Sequence, residues 1–249
     1  MTSLSLIIPA YNESEGVDLT AAKLRPVMDA LRQKYALETI FVNDGSRDAT
    51  AELLQKAFAD DPAVKVVSHE RNLGLGAALR TGFQHATGDL LVTTDFDGTY
   101  DFAQVSRLVD ALTDEHADIA TASPYHPKGK VEGVPESRLL FSKGASLIYR
   151  IVVRWNIYTW TALFRAYRRP VLEQAGFRSD DFLAGTELLV NALRDGFKVV
   201  EVPMVLRRRT FGQSSIRIAQ VNAAHLRFQF GILFRTYRAP ASVCSPASE

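Results

Sequence analysis

The chain has 249 residues, with 29 Lys and Arg against 28 Asp and Glu, so it can form one sizeable domain and carries no overall charge that would draw it to nucleic acid. Its single cysteine, Cys244, excludes a disulfide framework or a cysteine-rich metal site and fits a reducing, cytoplasmic compartment. No signal peptide is read at the N-terminus. The most apolar later stretch, 145–164, carries Arg150 and Arg154 near its middle, where each charge costs roughly 2.5–3.5 kcal/mol in a bilayer, so no membrane span is expected.

Taken in chain order, β-rich runs at 4–8, 38–42, 64–68, 90–94 and 119–122 read as strands. Between them apolar residues recur at helical spacing, as in Leu24, Val27, Met28, Leu31 and Tyr35, or Val105, Leu108, Val109 and Leu112. Pro26 predicts a kink or a late start for the first of these helices. Strand–helix alternation implies right-handed crossovers and the α/β class, a mostly parallel sheet with helices on both faces. The second half predicts a helix over 136–155, an extended run at 161–167, a short helix at 187–194, a strand at 198–203 and a long amphipathic helix at 216–237. Residues 239–249, rich in Ala, Ser and Pro, predict a disordered tail. With no linker between the halves, 1–238 reads as one domain.

In an open α/β sheet, ligands bind beyond the carboxyl ends of the strands, and four such ends carry unusual sequences. Strand one runs into Pro9-Ala10-Tyr11-Asn12-Glu13, strand two into Asn43-Asp44-Gly45-Ser46, strand three into Asn72-Leu73-Gly74-Leu75-Gly76, and strand four into Asp95-Phe96-Asp97-Gly98. Asp95 and Asp97 point the same way if extended geometry persists past the strand, and two hard carboxylates suit Mg2+ or Mn2+ held jointly with substrate phosphates. Standing alone, Asp-x-Asp-Gly is a polar turn; its place beside three other such loops points to a site. Asp44 could accept hydrogen bonds from a base or ribose, or close an Asx-turn, while Asp48 reads as an N-cap. Gly74-Leu75-Gly76 matches part of a dinucleotide fingerprint, but it follows the third strand and Leu79 replaces the last glycine.

Together, Ile7-Ile8-Pro9-Ala10-Tyr11-Asn12-Glu13, Val42-Asn43-Asp44-Gly45-Ser46, Asn72-Leu73-Gly74, Asp95-Phe96-Asp97, Phe164-Arg165-Ala166-Tyr167-Arg168-Arg169 and Arg209-Thr210-Phe211-Gly212-Gln213-Ser214 resemble glycosyltransferase family 2. Within it they are similar to the dolichyl-phosphate mannose synthase branch and its bacterial polyprenyl-phosphate relatives. The resemblance implies a GT-A fold and inverting transfer of a hexose from a nucleoside-diphosphate sugar, of GDP-mannose or UDP-glucose type, to a polyprenyl phosphate. It implies that residues 1–122 bind the nucleotide sugar and 123–238 the acceptor. Pro9, Ala10, Tyr11, Glu13, Asp44, Asn72 and Asp95 would surround the donor, and Asp95 and Asp97 would hold Mg2+ or Mn2+. Arg138, Ser142 and Ser214 would bind the acceptor's phosphate, and Arg209 would close over the phosphates.

A phosphate acceptor is already an anion and needs no base, whereas a hydroxyl acceptor on a small metabolite, lipid or glycan does. Glu187, after Gly185-Thr186, is the candidate base for that alternative; its other reading is a first-turn acid favoured by the helix dipole. The chain departs from the branch on the acceptor side, with Pro124 where an Arg is usual, Leu163 for a Gly and Ser215 for a Lys. Arg217, Lys128 and Lys130 are the cations placed to compensate. A nucleotidyltransferase would carry a glycine- and lysine-rich loop after strand one, and Tyr11-Asn12-Glu13-Ser14 is not one. A sugar-nucleotide sensor without catalysis is the third alternative. Leu226, Phe230, Leu233, Phe234 and Tyr237 share a helical face among arginines, which suits peripheral contact with the inner face of a membrane, packing on the core, or a homodimer contact.

Overall fold

Strand β1 (Ser3–Ala10) is buried from Leu4 to its end, as a near-continuous apolar run is when helices cover both faces of a sheet. The computed structural model describes residues 1–209, 211, 218–240 and 242–243, apart from the side chains of Ser137, Arg138 and Ile218. The first half continues through α1 (Val17–Arg32), β2 (Ala36–Asn43), α2 (Thr50–Ala57), β3 (Val64–Ser68), α3 (Leu75–His85), β4 (Leu90–Thr93), α4 (Val105–Asp114) and β5 (Ile119–Ser123). The second half adds β6 (Lys130–Glu132), α5 (Glu136–Val153), β7 (Arg165–Arg168), α6 (Arg169–Gln174), α7 (Ala184–Arg194), β8 (Val199–Pro203), β9 (Val205–Arg207) and α8 (Ile218–Leu233). Seven strands form one sheet in the order β3-β2-β1-β4-β7-β5-β8, in which β7 alone runs antiparallel to its neighbours.

Alternation along the strands feeds two cores. Leu4, Leu6 and Ile8 face α1, α2 and α4, with Leu24, Met28, Leu54, Leu108 and Leu112. Ile7, Ile40, Val42 and Leu91 face the opposite layer of α3, α6 and α7, which α5 and α8 extend. The amino-terminal ends of the strands are tied by Glu38, which accepts from Ser5 Oγ (2.7 Å), Lys65 Nζ (2.9 Å) and the N–H and Oγ1 of Thr87 (2.6 and 2.8 Å). Burial alone would raise its pKa, but these donors together hold it down at about 2. The carboxyl ends of the strands open into a cleft.

The five first-half strands fall where the sequence places them, each within one or two residues. Helix α1 starts early, at Val17, and runs through Pro26. Pro26 and Ala22, whose carbonyl loses its partner there, both face solvent, where water can satisfy the free oxygen. Of the expected extended run at 161–167, pairing begins only at Arg165. Helix α7 begins at Ala184, before the expected start, so Glu187 lies inside it. Helix α8 ends at Leu233, short of the expected 237, because Arg235 takes a left-handed conformation (φ 57°) and closes the helix. The chain then folds Tyr237 back onto Phe228, ring centroids 4.7 Å apart. Within the stretch expected to be disordered, Val243 is buried and donates its N–H to Leu172 O at 3.1 Å. The β6–β9 pair, three residues per strand, was not anticipated.

Helix α8 is tied to α5 by a buried polar contact. Tyr149 Oη lies 2.8 Å from His225 Nδ1, and the Tyr149 ring stacks on Trp160. Burial pushes His225 down to about 4, against a smaller upward pull from Asp181. The unfolded chain, with a His pKa near 6.5, therefore takes up the proton first. This histidine's stabilising effect is complete above about pH 6.5 and is lost as pH falls toward 4, to a total on the order of 3 kcal/mol. Urea unfolding of the wild type and His225→Gln at pH 7, 5.5 and 4 is expected to give two curves whose stability difference narrows steadily on acidification. A constant difference would remove His225 as the titrating group.

Candidate active site

The carboxyl ends of β1, β2 and β4 and the loop from β3 to α3 converge on one cleft of about 1190 Å3. Its first-half wall includes all seven residues expected to meet a nucleotide sugar, Pro9, Ala10, Tyr11, Glu13, Asp44, Asn72 and Asp95, together with Asp97. The opposite wall includes Tyr125, Ser142, Thr161, His225 and the three arginines 207, 208 and 209. Ser214 lies outside the described residues, as does the side chain of Arg138.

The loops of the first-half wall are sewn together by hydrogen bonds to backbone N–H groups. Asn12 N–H donates to Ser46 Oγ and Arg47 N–H to Asn12 Oδ1, both at 2.9 Å, while Glu13 N–H donates to Thr50 Oγ1 at 2.8 Å. Asp48 accepts from Ser14 N–H and Thr50 N–H (both 3.1 Å), but it stands one residue before the N-cap, which is Ala49 and not Asp48 as expected. After β4 the chain turns rather than staying extended, with Gly98 at φ 63°. Phe96 still goes inward against Phe41, and Asp95 and Asp97 both line the cleft. Asp97 Oδ1 accepts Thr99 N–H at 3.0 Å.

Arg209 reaches into this acidic corner from the far wall. Its Nη2 bonds Glu13 Oε1 and its Nε lies 3.3 Å from Asp97 Oδ2. The same Nε donates to Phe211 O at 2.7 Å. Phe211 lies against Gly16, where any Cβ would overlap its ring, and meets Phe96 edge-on. Burial first, and then the neighbouring Asp97, push Asp95 up to about 7 against the pull of Arg209. Burial likewise raises Glu13, although its bond to Arg209 opposes this. Crowded, desolvated carboxylates of this kind call for positive charge. No group of three or more His, Cys, Asp or Glu able to hold a metal occurs among the described residues. Asp95 and Asp97 fit the two-carboxylate pattern in which Mg2+ or Mn2+ takes its remaining ligands from phosphates and water.

Two expected roles do not survive the geometry. Asp44 lines the cleft, but both its oxygens are occupied by the neighbouring loop. Oδ1 meets His69 Nδ1 (2.8 Å) and Leu73 N–H (2.9 Å), and Oδ2 meets Asn72 Nδ2 (2.9 Å) and Gly74 N–H (2.8 Å). A carboxylate has about four acceptor positions, so none is left for a base or ribose. Glu187 is buried and does not line the cleft. Its Oε2 accepts Ser179 N–H at 2.9 Å and its Oε1 accepts the Tyr237 hydroxyl at 2.7 Å, which makes it a brace and not a base.

The second-half wall rests on residues to which the sequence reading gave no role. Arg165 is fully buried; its Nε donates to Thr121 Oγ1 (3.0 Å), and its other nitrogens donate to the carbonyls of Gly185 and Trp160. Glu201 accepts the N–H groups of Tyr158 (2.9 Å) and Thr159 (3.0 Å). These two hold the 158–161 segment, whose Thr161 Oγ1 lies 2.6 Å from Ser142 Oγ. Gly74, at φ 98°, and Gly76 are required by packing, since a Cβ on either would strike the 179–180 backbone.

Residues 5–176 match glycosyl transferase family 2. The polyprenol monophosphomannose synthase of Mycolicibacterium smegmatis is 36% identical over 242 residues, covering 94% of this chain and 89% of that protein. Among solved structures, the glucosyl-3-phosphoglycerate synthase of Mycobacterium tuberculosis, crystallised with Mn2+, uridine diphosphate and glucosyl-3-phosphoglycerate, superposes with a TM-score of 0.68 at 19% identity, covering 94% of this chain and 79% of that one. A mannosyltransferase from Pyrobaculum calidifontis, crystallised with GDP-Man and Mn2+, gives 0.67 at 20% identity, covering 96% and 66%. At these identities the structures share the GT-A fold.

Asp44→Asn keeps the size of the clamp but puts an NH2 group where two donors point. A loss of roughly 2–4 kcal/mol in unfolding free energy is expected, with faster amide hydrogen exchange concentrated at residues 72–78. Unchanged exchange in that segment would show that Asp44 does not hold it.

Proposed function

Since the chain belongs to glycosyl transferase family 2, we propose that it moves a mannosyl residue from a nucleoside-diphosphate mannose to the phosphate of a polyprenyl phosphate. The observation that carries this reading is that the candidate bases of the second-half wall, among the described residues, are already engaged within the protein; His225, which lines that wall, has its Nδ1 2.8 Å from Tyr149 Oη. Glu187 is turned away, and Asp181, the one acid which that half contributes to the cleft, uses Oδ1 on Leu183 N–H (2.8 Å) and Ser179 Oγ (2.7 Å) within its own loop. A hydroxyl acceptor must give up a proton during transfer, whereas a phosphomonoester oxygen attacks as an anion. The name of the mycobacterial relative supports the same acceptor.

In such a transfer the acceptor's phosphate oxygen forms its bond to the anomeric carbon in line with the departing diphosphate oxygen, and no proton is exchanged. Mg2+ or Mn2+ on Asp95 and Asp97 would supply positive charge to that leaving group. Arg209, already in the corner, exchanges carboxylate oxygens for phosphate oxygens and stabilises the charge that develops there. Pro9, Ala10, Tyr11 and Asn72 wall the nucleoside, with Asp44 acting on it only through the loop it holds. Ser142, with Arg138 and Ser214, receives the acceptor. In calorimetric titrations of GDP and UDP with Mn2+, Asp95→Ala and Asp97→Ala are each expected to cost roughly 10- to 100-fold in affinity, and the loss should vanish when the metal is chelated. Mannosyl transfer to hydroxyl acceptors but to no prenyl phosphate would sink the reading.

The same reading places the chain at a membrane surface. Leu140, Leu147, Ile151 and Trp155 on and after α5, and Phe230, Leu233 and Phe234 on and after α8, are exposed. Lys143, Arg154, Arg227 and Arg235 are exposed around them. No acidic residue occurs from 137 to 172 or from 202 to 248, so this face complements an anionic lipid headgroup layer. No helix among the described residues is long and apolar enough to cross a membrane. Flotation with phosphatidylglycerol vesicles is expected to carry the protein, and the double change Phe230→Ser with Phe234→Ser to release most of it. A concentration-dependent dimer in light scattering, with no vesicle binding, would assign the face to a second copy instead.

A further inference from the structure

The three consecutive arginines at the end of β9 all line the cleft, yet they meet different partners. Arg207 turns outward to Glu132 (3.4 Å) and Asp101 (4.0 Å). Arg209 turns to the donor corner and lies against Glu13 and Asp97. Arg208 meets no carboxylate among the described residues. Its N–H donates to Glu132 O at 3.0 Å, which fixes where the side chain leaves the strand. Its Cβ stands beside Gly133, 3.4 Å from where a Cβ on that glycine would lie. From Gly133 the chain runs through Val134 and Pro135 into α5, and Val134, Pro135 and Leu139 line the same wall of the cleft as Ser142.

The geometry points to Arg208 as the residue that holds the acceptor's phosphomonoester at the mouth of the cleft. This rests on the phosphate-acceptor reading given above. A phosphomonoester brings a charge of about −1.5 to −2 at neutral pH, and it must approach a wall that already carries Glu13, Asp95 and Asp97. Arg209 is spent on that wall, and Arg207 on the outer rim. Among the described side chains, the rest of the acceptor side of the cleft offers hydroxyls, from Ser142, Thr161 and Tyr125, and apolar surface from Leu139 and Ala145. Hydroxyls orient a phosphate but do not offset its charge. Arg208 adds a cation on this wall to the Arg138 assigned above, with a planar fork that suits phosphate oxygens, and the apolar surface behind it leads toward the exposed face of α5 along which a prenyl chain can lie.

The test measures mannosyl transfer to a water-soluble short-chain prenyl phosphate without vesicles, for the wild type, Arg208→Gln and Arg208→Lys. For Arg208→Gln the acceptor KM is expected to rise by roughly 10- to 100-fold, and Arg208→Lys to recover part of it. Affinity for the nucleoside diphosphate with Mn2+ should stay within about twofold, as for a surface change away from that end. An acceptor KM unchanged in Arg208→Gln overturns the inference, as does an equal loss of nucleotide affinity. A defect that appears only with vesicle-borne acceptor also overturns it, because Arg208 would then act on the bilayer. No transfer by the wild type to any prenyl phosphate removes the acceptor reading itself, and that failure is visible before any variant is compared.

Discussion

The cleft is organised by one electrostatic conflict, the crowding of the buried Glu13 and the half-buried Asp95 and Asp97 around Arg209. Like charges withdrawn from water raise one another's pKa, and a buried cation offsets this only where its geometry is good. Arg209 supplies that cation from the other end of the chain. It can do so only because β8 docks beside β5 and β9 then pairs with β6, which brings 207–209 across the cleft. The acidic corner is thus completed by the second half of the chain. A cation that enters can replace what Arg209 gives the carboxylates, and a diphosphate can compete with them for Arg209, so binding there is coupled to the position of Arg209.

Packing reinforces this coupling. The turn that presents Asp95 and Asp97 to the cleft sends Phe96 inward between them, and Phe96 meets both Phe41 in the core and Phe211 in the segment after β9. Phe211 in turn covers Gly16, at the entrance to α1. A change in the Asp-Phe-Asp turn is therefore felt by Phe211 through direct ring contact, and a displaced Phe211 would uncover Gly16 and Phe96 to water. The acidic pair and the segment over it behave as one packed unit.

Much of this was legible in the sequence because it rests on local rules. Short β-rich runs gave five strands within one or two residues, and the rule that ligands sit at carboxyl ends brought four separate loops to one place. What was not legible depends on partners distant in the chain. Nothing local distinguishes Arg165, sealed among carbonyls of Trp160 and Gly185, from a surface arginine on a strand. Three-residue strands such as β6 and β9 have too few side chains to display a period, so the route of Arg208 and Arg209 over the cleft stayed hidden. Glu187 is a first-turn acid of α7, one of the two readings the sequence offers; its partners, Ser179 and Tyr237, come from loops that carry no pattern.

The acids of the cleft and its walls show why residue type and position could not settle roles. Asp44 and Asp95 stand just past the carboxyl ends of parallel strands, in sequences that look equally exceptional. Asp44 faces a loop that aims two N–H groups, an amide and an imidazole at it, and its capacity is filled. Asp95 accepts no hydrogen bond from another described residue, and its nearest company is another carboxylate. Glu201 and Glu187 follow the first pattern, and Glu13, whose Oε2 is buried without a partner among the described residues, follows the second. A carboxylate satisfied by N–H groups lowers the energy of its own loop and has little left to offer a ligand. One left unsatisfied raises the energy of the empty site, and that cost is recovered when positive charge arrives. The division between scaffold and site is therefore set by where the backbone donors of neighbouring loops point, which is why Asp95 and Asp97 hold their place at the centre of the cleft while Asp44 becomes part of its frame.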